Sequence, residues 1–301
     1  MAPPQKLTVL ITGCTPGGMG AALAVAFHSA GHHVFATARN PSKLAPLADQ
    51  GIQTLPLDIT SATSITAAVA AVSSSLSTEQ GLDILVNNAA GSYAMPLADA
   101  ALSAARDLFE VNVWAHLAVT QAFLPLLLKS AAAGGFTPIV ANHTSVGSVA
   151  ALPFQGVYNA SKAALAMLTS TLRIELAPLG VRVVEMKTGG VRTNIIGNSS
   201  FNAGGERLPG GSVYGAARGQ VEKIMSQEGL VGIGVPPEVW AKEVVGALLG
   251  RRLPRVLWKG EGAGMARVVS ALPFSGLVEM ILERVTGFGA VKEALKKAKQ
   301  E

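Results

Sequence analysis

Short apolar runs alternate with segments of helical periodicity along most of the chain. The apolar runs are rich in β-branched residues, which is typical of buried strands, and the segments between them repeat their apolar residues every three to four positions. Strands are predicted at 7–12, 33–37, 53–57, 83–87, 138–142, 181–186 and 255–258. Helices are predicted at 19–30, 42–50, 61–76, 101–130, 155–178 and 236–249. Pro125 is expected to kink the longest helix or to lie near its end.

This alternation predicts an α/β fold with a single doubly wound parallel sheet, a Rossmann fold, with helices on both faces. The same pattern could build a (β/α)8 barrel, but a glycine-rich turn directly after the first strand favours the open sheet. In an open sheet the ligand binds at the carboxyl ends of the strands. No linker divides the chain, so we expect one domain over 1–301, with a helical substrate lid at 195–234 and a C-terminal helical extension at 260–301.

The composition allows a large buried core and limits the kinds of site. Of the 301 residues, 49% are hydrophobic and 14% are charged. Cys14 is the only cysteine, so no intrachain disulfide can form, which fits a reducing compartment. The five histidines show no metal-ligand spacing, so ordinary surface or edge roles and no metal site are expected. No signal segment opens the chain and no apolar stretch reaches the length of a bilayer span, so a cytoplasmic location is predicted.

The tail carries much of the net charge of +5, at Lys292, Lys296, Lys297 and Lys299. A solvated terminal helix explains these lysines, and attraction to anionic lipid or nucleic acid is the alternative. Zinc-ligand spacing and aromatic–basic interleaving are missing, so no nucleic-acid partner is expected. Apolar residues between 264 and 289 predict a helix that lies peripherally on an intracellular membrane, or that packs on its own domain or on a second subunit.

Glycines follow the first predicted strand at once, as in a phosphate-binding loop. They lie between Thr12 and Gly20, where a strand meets a helix. Glycine leaves backbone amides open to a pyrophosphate, and the amino end of the following helix supplies partial positive charge. The alternative is a tight turn without a ligand. The dinucleotide contacts predicted here are Ile11, Thr12, Gly13, Thr15, Gly18, Met19 and Gly20.

The end of the second predicted strand bears on the choice of cofactor. The chain carries Arg39 there and no acidic side chain. An acid would bind the ribose diol, whereas a guanidinium suits a 2′-phosphate through its charge and forked donors. The cofactor is therefore predicted to be NADPH or NADP+, unless Arg39 is merely a surface residue. Asp58, after the third strand, is expected to accept a hydrogen bond from the adenine amino group or to cap the next helix.

Tyr158 and Lys162 place a phenol and an ammonium four residues apart, on one face of a predicted helix. A phenol with a reference pKa of roughly 10 is a poor base at neutral pH. A nearby cation favours the phenolate and is expected to lower that pKa. Ser145 lies just after the fifth predicted strand, where its hydroxyl can polarise a carbonyl oxygen or stabilise an alkoxide.

These features, in this order and at this spacing, make the chain resemble the short-chain dehydrogenase/reductase family over about residues 7 to 195. The matches also include Asn87, Asn88, Ala89, Asn112 and the segment from Thr188 to Thr193. The resemblance implies that Tyr158 is the general acid in reduction and the base in oxidation. It implies that Lys162 binds the nicotinamide ribose and lowers the tyrosine pKa, and that Ser145 holds the substrate oxygen.

Three further roles are implied by the resemblance alone. Asn112 would hold a water that links the catalytic lysine to solvent. Asn88 and Ala89 would line the cofactor cleft. Val191 and Thr193 would lie beside the nicotinamide amide.

The chain departs from the family pattern at three places. Four residues separate Gly13 from Gly18 where three are usual, unless the glycine just before Gly18 is counted, and the extra residue could shift the pyrophosphate seat. Ala90 stands where the family has glycine, and Gly91 comes one place late, so a methyl group could crowd the cleft slightly. Thr188 replaces the usual proline. None of these changes removes a reacting group.

Three stretches, 12–20, 35–39 and 188–191, are similar to fungal NADPH-dependent 1-acyldihydroxyacetone-phosphate reductases and their relatives in secondary metabolism. Apolar residues in the lid segment suit a bulky lipophilic ketone, although some of them could equally be plain core. The predicted lid lining is Phe201, Leu208, Val213, Tyr214, Met225 and Leu230.

The sequence thus predicts an NADPH-dependent oxidoreductase that acts on a lipophilic carbonyl substrate. That substrate is expected to be a lipid precursor such as an acyl-dihydroxyacetone phosphate, or a terpenoid or polyketide intermediate. The alternative is a non-catalytic dinucleotide sensor or scaffold on the same fold. Such proteins often lose the tyrosine or the lysine, and both remain here as Tyr158 and Lys162. A homo-oligomer is expected because family members often pair through their long helices.

Overall fold

The computed structural model describes residues 6–194, 207–230, 232–271 and 275–300. Its centre is a sheet of seven strands. The strands are β1 (Thr8–Ile11), β2 (His33–Ala38), β3 (Gln53–Pro56), β4 (Ile84–Asn87), β5 (Ile139–Ser145), β6 (Arg182–Thr188) and β7 (Val256–Lys259). Every predicted strand is present, and its ends lie within three residues of those expected.

The strands pair in the order β3-β2-β1-β4-β5-β6-β7, and all neighbouring pairs are parallel. The chain first moves outward from β1 to β3 and then returns to place β4 on the other side of β1. The direction of winding therefore reverses between β1 and β4, and ligands bind at such a switch point beyond the carboxyl ends of the strands. The predicted doubly wound parallel sheet is confirmed.

Eleven α-helices in the described part of the chain connect and cover the strands. They are α1 (Met19–Ser29), α2 (Ala45–Ala48), α3 (Ala62–Ser75), α4 (Leu102–Phe109), α5 (Ala115–Ala133), α6 (Gly156–Leu176), α7 (Arg218–Ser226), α8 (Pro237–Leu248), α9 (Ala263–Ser270), α10 (Ser275–Val285) and α11 (Phe288–Ala298). Helices α1 and α8 pack on one face of the sheet, and α3, α5 and α6 pack on the other. Along β1, Val9 and Ile11 join the first core and Leu10 joins the second, because successive side chains of a strand point to opposite faces.

Two of the predicted helices differ from the structure. The helix expected at 42–50 is a 3₁₀ helix, Pro41–Leu44, followed by the short α2. The helix expected at 101–130 consists of α4 and α5 joined by a π-helical turn, Glu110–Trp114. Pro125 lies inside α5, eight residues before its last residue, Ala133, so it does not end the helix. Burial of the apolar face of α5 stabilises the helix enough to offset the backbone hydrogen bond that proline removes.

The continuous helical span Leu102–Ala133 is long and apolar enough to cross a membrane by length and composition, although the sequence pattern predicted no such stretch. Half of its most apolar window is buried inside the protein. Val119, Phe123 and Leu127 of this span pack in the core between the sheet and its helices. The span therefore has the environment of a core helix in an α/β domain.

A third apolar cluster lies around the lid segment. Leu208 and Met225 are buried in it against Phe154, and Tyr214 packs on the edge of the same ring. Val213 is 73% exposed, so its predicted place in the lining is wrong. Leu208, Tyr214 and Met225 also do not line the cavity described below, because their apolar surfaces are used within this cluster. The remaining predicted lining residues, Phe201 and the side chain of Leu230, lie outside the described part of the structure.

The tail is formed by the three short helices α9, α10 and α11. Helix α11 packs back on the lid cluster: Val291 is fully buried, and the Phe288 ring lies 5.6 Å from that of Phe154. Helices α9 and α10 leave Met265 and Val285 more than two-thirds exposed. Packing on its own domain is thus observed for α11, whereas contact of α9 and α10 with a membrane or a second subunit stays a prediction.

Candidate active site

A cavity of about 540 Å³ opens at the carboxyl edge of the sheet. Its walls are the loops that follow the strands, on both sides of the switch between β1 and β4. Most of the residues predicted to bind a dinucleotide or to act on a substrate line this cavity. They are Gly13, Thr15, Gly18, Met19, Arg39, Asp58, Asn88, Ala89, Ser145, Tyr158, Lys162, Val191 and Thr193.

Three predicted cofactor contacts around the glycine loop lie behind the cavity wall instead, and so does Asn112, which is described below. Ile11 is fully buried in the core. Thr12 accepts hydrogen bonds at its Oγ1 from the backbone amides of Asn88 and Ala89, at 2.9 and 3.0 Å. Gly20 lies under the loop, and a Cβ there would lie 2.5 Å from Asn88 Nδ2. These residues shape the wall from behind and do not line the cavity, and their contact with the cofactor stays a prediction.

Two glycines allow the loop between β1 and α1 to take its path. Gly13 has φ +75°, and a Cβ on it would lie 2.7 Å from the Cα of Ala89, so only glycine fits this close approach. Gly17 also has φ +75° and accommodates the additional residue of the loop. Gly18 is the N-cap residue of α1 and gives no side-chain cap. The amides of the first helical turn therefore remain available to an anion, together with the positive end of the helix dipole.

Arg39 and Asp58 lie together at the end of the cavity formed by β2 and β3. Asp58 Oδ1 accepts hydrogen bonds from the backbone N–H and the hydroxyl of Thr60, at 3.0 and 2.7 Å. These bonds, and then the nearby Arg39 guanidinium, lower the pKa of Asp58. The cap of α3 is Ser61, whose Oγ accepts from Ser64 N at 3.3 Å, so Asp58 is not that cap. This end of the cavity thus offers one cation and one carboxylate.

Ser145, Tyr158 and Lys162 form one wall of the cavity. The tyrosine and lysine lie one helical turn apart on α6, and the serine lies at the end of β5. Tyr158 forms a side-chain hydrogen bond with Ser145. Lys162 Nζ lies 5.9 Å from the centre of the Tyr158 ring and donates a hydrogen bond to the carbonyl of His143 at 2.9 Å. A phenol, a hydroxyl and an ammonium therefore surround one space, which is an arrangement suited to proton transfer.

Burial decides the protonation of these groups. It raises the pKa of Tyr158, and the hydrogen bond with Ser145 offsets part of that rise. Burial also lowers the pKa of Lys162 to about 7. The tyrosine pKa therefore rises instead of falling as expected, because burying a phenolate is costly, and the cause that lowers it is Ser145 and not the lysine. Tyr158 is protonated at neutral pH, which is the form that a general acid requires.

Asn112 lies in the π-helical turn and is fully buried behind the cavity wall. Its Oδ1 accepts from Gly91 N at 2.8 Å, and its Nδ2 donates to Gly91 O and to Ser161 Oγ, both at 3.1 Å. Both side-chain N–H groups are used, so this amide cannot donate to the water implied by the family resemblance. Its observed role is to hold the loop after β4, where glycine comes one place later than usual.

Two histidines that were expected at ordinary surface or edge positions lie buried beside the site. His116 is 2% exposed and bonds through Nε2 to the carbonyl of Ala89 at 2.7 Å. His143 is 4% exposed and lines the cavity. Burial first, and the Lys162 charge second, lower the pKa of each to about 3, so both are neutral. No spacing in the sequence connects these residues, because only the packing of α5 against β5 brings them together.

The comparison with known families agrees with this geometry. The model of the family described as short chain dehydrogenase matches residues 7–201, from β1 to the segment after β6. The chain belongs to the short-chain dehydrogenase/reductase family. The predicted resemblance is thereby confirmed.

Relatives cover nearly the whole chain. A short-chain dehydrogenase/reductase of Pestalotiopsis microspora is 45% identical over 97% of this chain and 98% of its own. An NADPH-dependent 1-acyldihydroxyacetone phosphate reductase of Schizosaccharomyces pombe is 33% identical over 91% of this chain and 94% of its own. The crystal structure of a short-chain dehydrogenase from Streptomyces avermitilis has a TM-score of 0.73 at 26% identity and covers 96% of this chain and 98% of its own.

Proposed function

We propose that this short-chain dehydrogenase/reductase is an NADP(H)-dependent ketoreductase, or an alcohol dehydrogenase in the reverse direction, acting on a lipophilic substrate. One observation carries the proposal. Ser145, Tyr158 and Lys162 line the same cavity as the glycine loop and Arg39, so proton-transfer groups and a dinucleotide seat share one space. A non-catalytic sensor would need only the seat.

The donors in the cavity fit a nicotinamide dinucleotide with a 2′-phosphate. The uncapped amino end of α1 offers amides for a pyrophosphate. Arg39 offers a forked cation for the 2′-phosphate. Lys162 makes no ion pair within the described residues, and its bond to His143 uses one of three N–H groups, so others remain for ribose hydroxyls. The name of the fission-yeast relative includes NADPH dependence, which supports the same choice.

The bound cofactor would supply the hydride, and side chains of this chain would handle the proton. In reduction, the protonated phenol of Tyr158 donates its proton to the substrate oxygen as negative charge develops there. The Ser145 hydroxyl donates a hydrogen bond to the same oxygen and fixes its position. The Lys162 ammonium, 5.9 Å from the phenol ring centre, stabilises the phenolate that remains. Oxidation runs through the same groups in reverse.

The cavity wall next to Tyr158 supports a lipophilic substrate. Val146, Leu152 and Ile233 line it with apolar side chains. We propose a ketone or secondary alcohol with a bulky apolar body, of the acyl-dihydroxyacetone-phosphate, terpenoid or polyketide type. A hydrocarbon body gains free energy by leaving water for such a wall, while Tyr158 and Ser145 orient its single reacting oxygen.

The test measures turnover of a panel of lipophilic ketones with NADPH. Turnover is monitored as the decrease in absorbance of the reduced cofactor. We expect activity in the wild type and a loss of about 10²- to 10⁴-fold in Tyr158→Phe, because general acid catalysis contributes that much. NADPH binding should persist in the variant. Tyr93→Phe is the matched control, since the Tyr93 hydroxyl accepts from Ala101 N at 3.1 Å outside the cavity wall.

Two outcomes would contradict the proposal. NADPH binding without turnover of any ketone or alcohol would favour the sensor. Affinity for NADH equal to or better than that for NADPH would overturn the assignment of Arg39.

A further inference from the structure

A series of buried hydrogen bonds runs along the carboxyl edge of the sheet, beneath the cavity. Asn88 Nδ2 donates to the carbonyls of Thr12 and Gly13 in the glycine loop, at 2.9 and 3.1 Å. Asn88 Oδ1 lies 2.9 Å from Nδ1 of His143, and His143 Nε2 lies 2.7 Å from the Thr188 hydroxyl. The three linked side chains are each at most 9% exposed. This series of hydrogen bonds therefore runs from the end of β1 to the end of β6.

The direction of each bond follows from the donors available. Because the Asn88 N–H groups point to two carbonyls, its Oδ1 must accept, and the proton of His143 must be on Nδ1. The bare Nε2 then accepts from the Thr188 hydroxyl. The imidazole also stacks on Trp240, with ring centres 5.2 Å apart and planes 16° apart, which fixes its orientation. A neutral ring of one tautomer therefore satisfies both neighbours.

Thr188 is the place where the chain departs from the usual proline of the family. Proline has no hydroxyl and could not donate to His143. Thr188 also begins the segment that passes the cavity through Val191 and Thr193. The far side of this segment is held by backbone bonds, Gly189 N to Lys259 O at 2.9 Å and Gly190 N to Glu261 O at 2.8 Å. The hydroxyl of Thr188 thus ties the start of this segment, through His143 and Asn88, to the glycine loop.

We propose that His143 is a positioning residue which, through Thr188, couples the glycine loop to the segment beside the nicotinamide end of the cofactor site. This inference rests on the proposed function, since it requires a nicotinamide dinucleotide in the cavity. The hydrogen-bonded bridge Asn88–His143–Thr188 holds the glycine loop and the segment after β6 at the separation that the extended cofactor needs. Without it, the cofactor must order the segment when it binds, and that ordering weakens affinity. The reacting groups Ser145 and Tyr158 are not part of the bridge.

The test compares Thr188→Val, which keeps the shape and removes the hydroxyl, with Thr188→Ser, which keeps the hydroxyl. We expect the dissociation constant for NADPH, read from nicotinamide fluorescence, to rise about tenfold in Thr188→Val, because a buried acceptor on His143 loses its donor. Thr188→Ser should restore affinity to within about twofold of wild type. The KM for NADPH should rise with the dissociation constant, while kcat at saturating NADPH changes by less than about threefold.

A double-mutant cycle shows whether the two residues act through each other. His143→Phe keeps a flat ring on Trp240 and removes both nitrogens. If the bridge is the mechanism, adding Thr188→Val to His143→Phe should weaken NADPH binding no further. Thr169→Val is the matched control: Thr169 is fully buried, bonds Asn142 at 3.0 Å and lies outside the cavity wall. It should lower the melting temperature without changing the affinity for NADPH.

Several outcomes would overturn the inference. An affinity of Thr188→Val within twofold of wild type would do so, as would fully additive effects in the cycle or the same loss of affinity in Thr169→Val. If His143→Phe does not fold, the valine and serine variants still decide the question. A wild type that binds no NADPH would instead refute the proposed function, so the two failures are distinguishable.

Discussion

The two sides of the cavity use buried polar groups in opposite ways. On the side of Asn88, His143 and Thr188, each side chain is bound to its neighbours, and the groups hold the loops in place. On the other side, Lys162 is just as deeply buried, whereas Tyr158 is partly buried. Within the described residues the lysine donates one hydrogen bond, to a carbonyl, and its pKa is lowered to about 7. Satisfied polar groups stabilise the site, and unsatisfied ones remain available for chemistry.

Lys162 should show the largest effect, because this buried cation makes no ion pair within the described residues. We expect Lys162→Met to lower kcat by about 10²- to 10⁴-fold, since the proton-transfer group loses its cation. The same variant should melt at least about 2 °C higher than wild type at pH 6. Turnover and thermal melts across pH measure both effects.

The sign of the stability effect follows from the lysine pKa, about 7 in the fold against 10.5 for a free lysine. Between these values the unfolded chain binds more protons, so wild-type stability rises with pH. The melting advantage of Lys162→Met should therefore be full below pH 7 and shrink toward pH 10. An advantage that is the same at all pH values would show that charge burial is not its cause.

The next largest effect is expected at Ser145. Ser145→Ala should reduce kcat by about 10²-fold, because one hydrogen bond to the developing oxyanion is lost. The hydrogen bond with Ser145 also lowers the tyrosine pKa, and alcohol oxidation needs the deprotonated tyrosine. Loss of this bond should therefore move the ascending limb of the pH profile for alcohol oxidation, on its acidic side, to higher pH. Ser170→Ala serves as the control, since that hydroxyl bonds only its own helix, at Ala166 O. An unchanged pH profile would show that Ser145 does not affect the pKa of Tyr158.

Substitution of Arg39 tests cofactor binding in the cavity independently of proton transfer. Arg39→Ala should reduce the preference for NADPH over NADH by about 10- to 100-fold, because a charge-assisted hydrogen bond to phosphate contributes about 1.5–3 kcal/mol. Titration of both reduced cofactors measures the preference, and Arg251→Ala, at an exposed position outside the cavity wall, is the control. A preference that survives the substitution would place the 2′-phosphate elsewhere.

The smallest effect is expected from acid on the buried histidines. His116 and His143 have pKa values of about 3 in the fold, below the 6.5 of a free histidine. The unfolded chain therefore binds more protons between pH 3 and 6.5, and the free energy of unfolding falls as the pH is lowered through this range. His116→Phe should reduce that slope by about 1.4 kcal/mol per pH unit. Denaturant titrations at several pH values give the slope, and an unchanged slope would contradict neutral burial.

The order of strands and helices could be predicted from local pattern alone. Buried parallel strands are nearly continuous apolar runs, so β1 and β4 stand out in the sequence. Boundaries were less accurate where tertiary packing overrides local preference, as at Pro125 inside α5. The lid was the weakest prediction, since Val213 is exposed, and an apolar residue beside flexible glycines carries no signal of which surface it faces.

The residues that carry chemistry could be found from spacing because they lie on one element or directly at its end. Tyr158 and Lys162 share a face of α6, and Arg39 follows β2. The sequence by itself therefore determined the sheet, and it placed the pair Tyr158 and Lys162, and the cation Arg39, at the cavity. Only the tertiary structure decided which predicted contacts reach the cavity, that burial raises the tyrosine pKa, and that His143 joins Asn88 to Thr188. Those outcomes depend on desolvation and on contacts between distant segments, and neither is encoded in any local pattern.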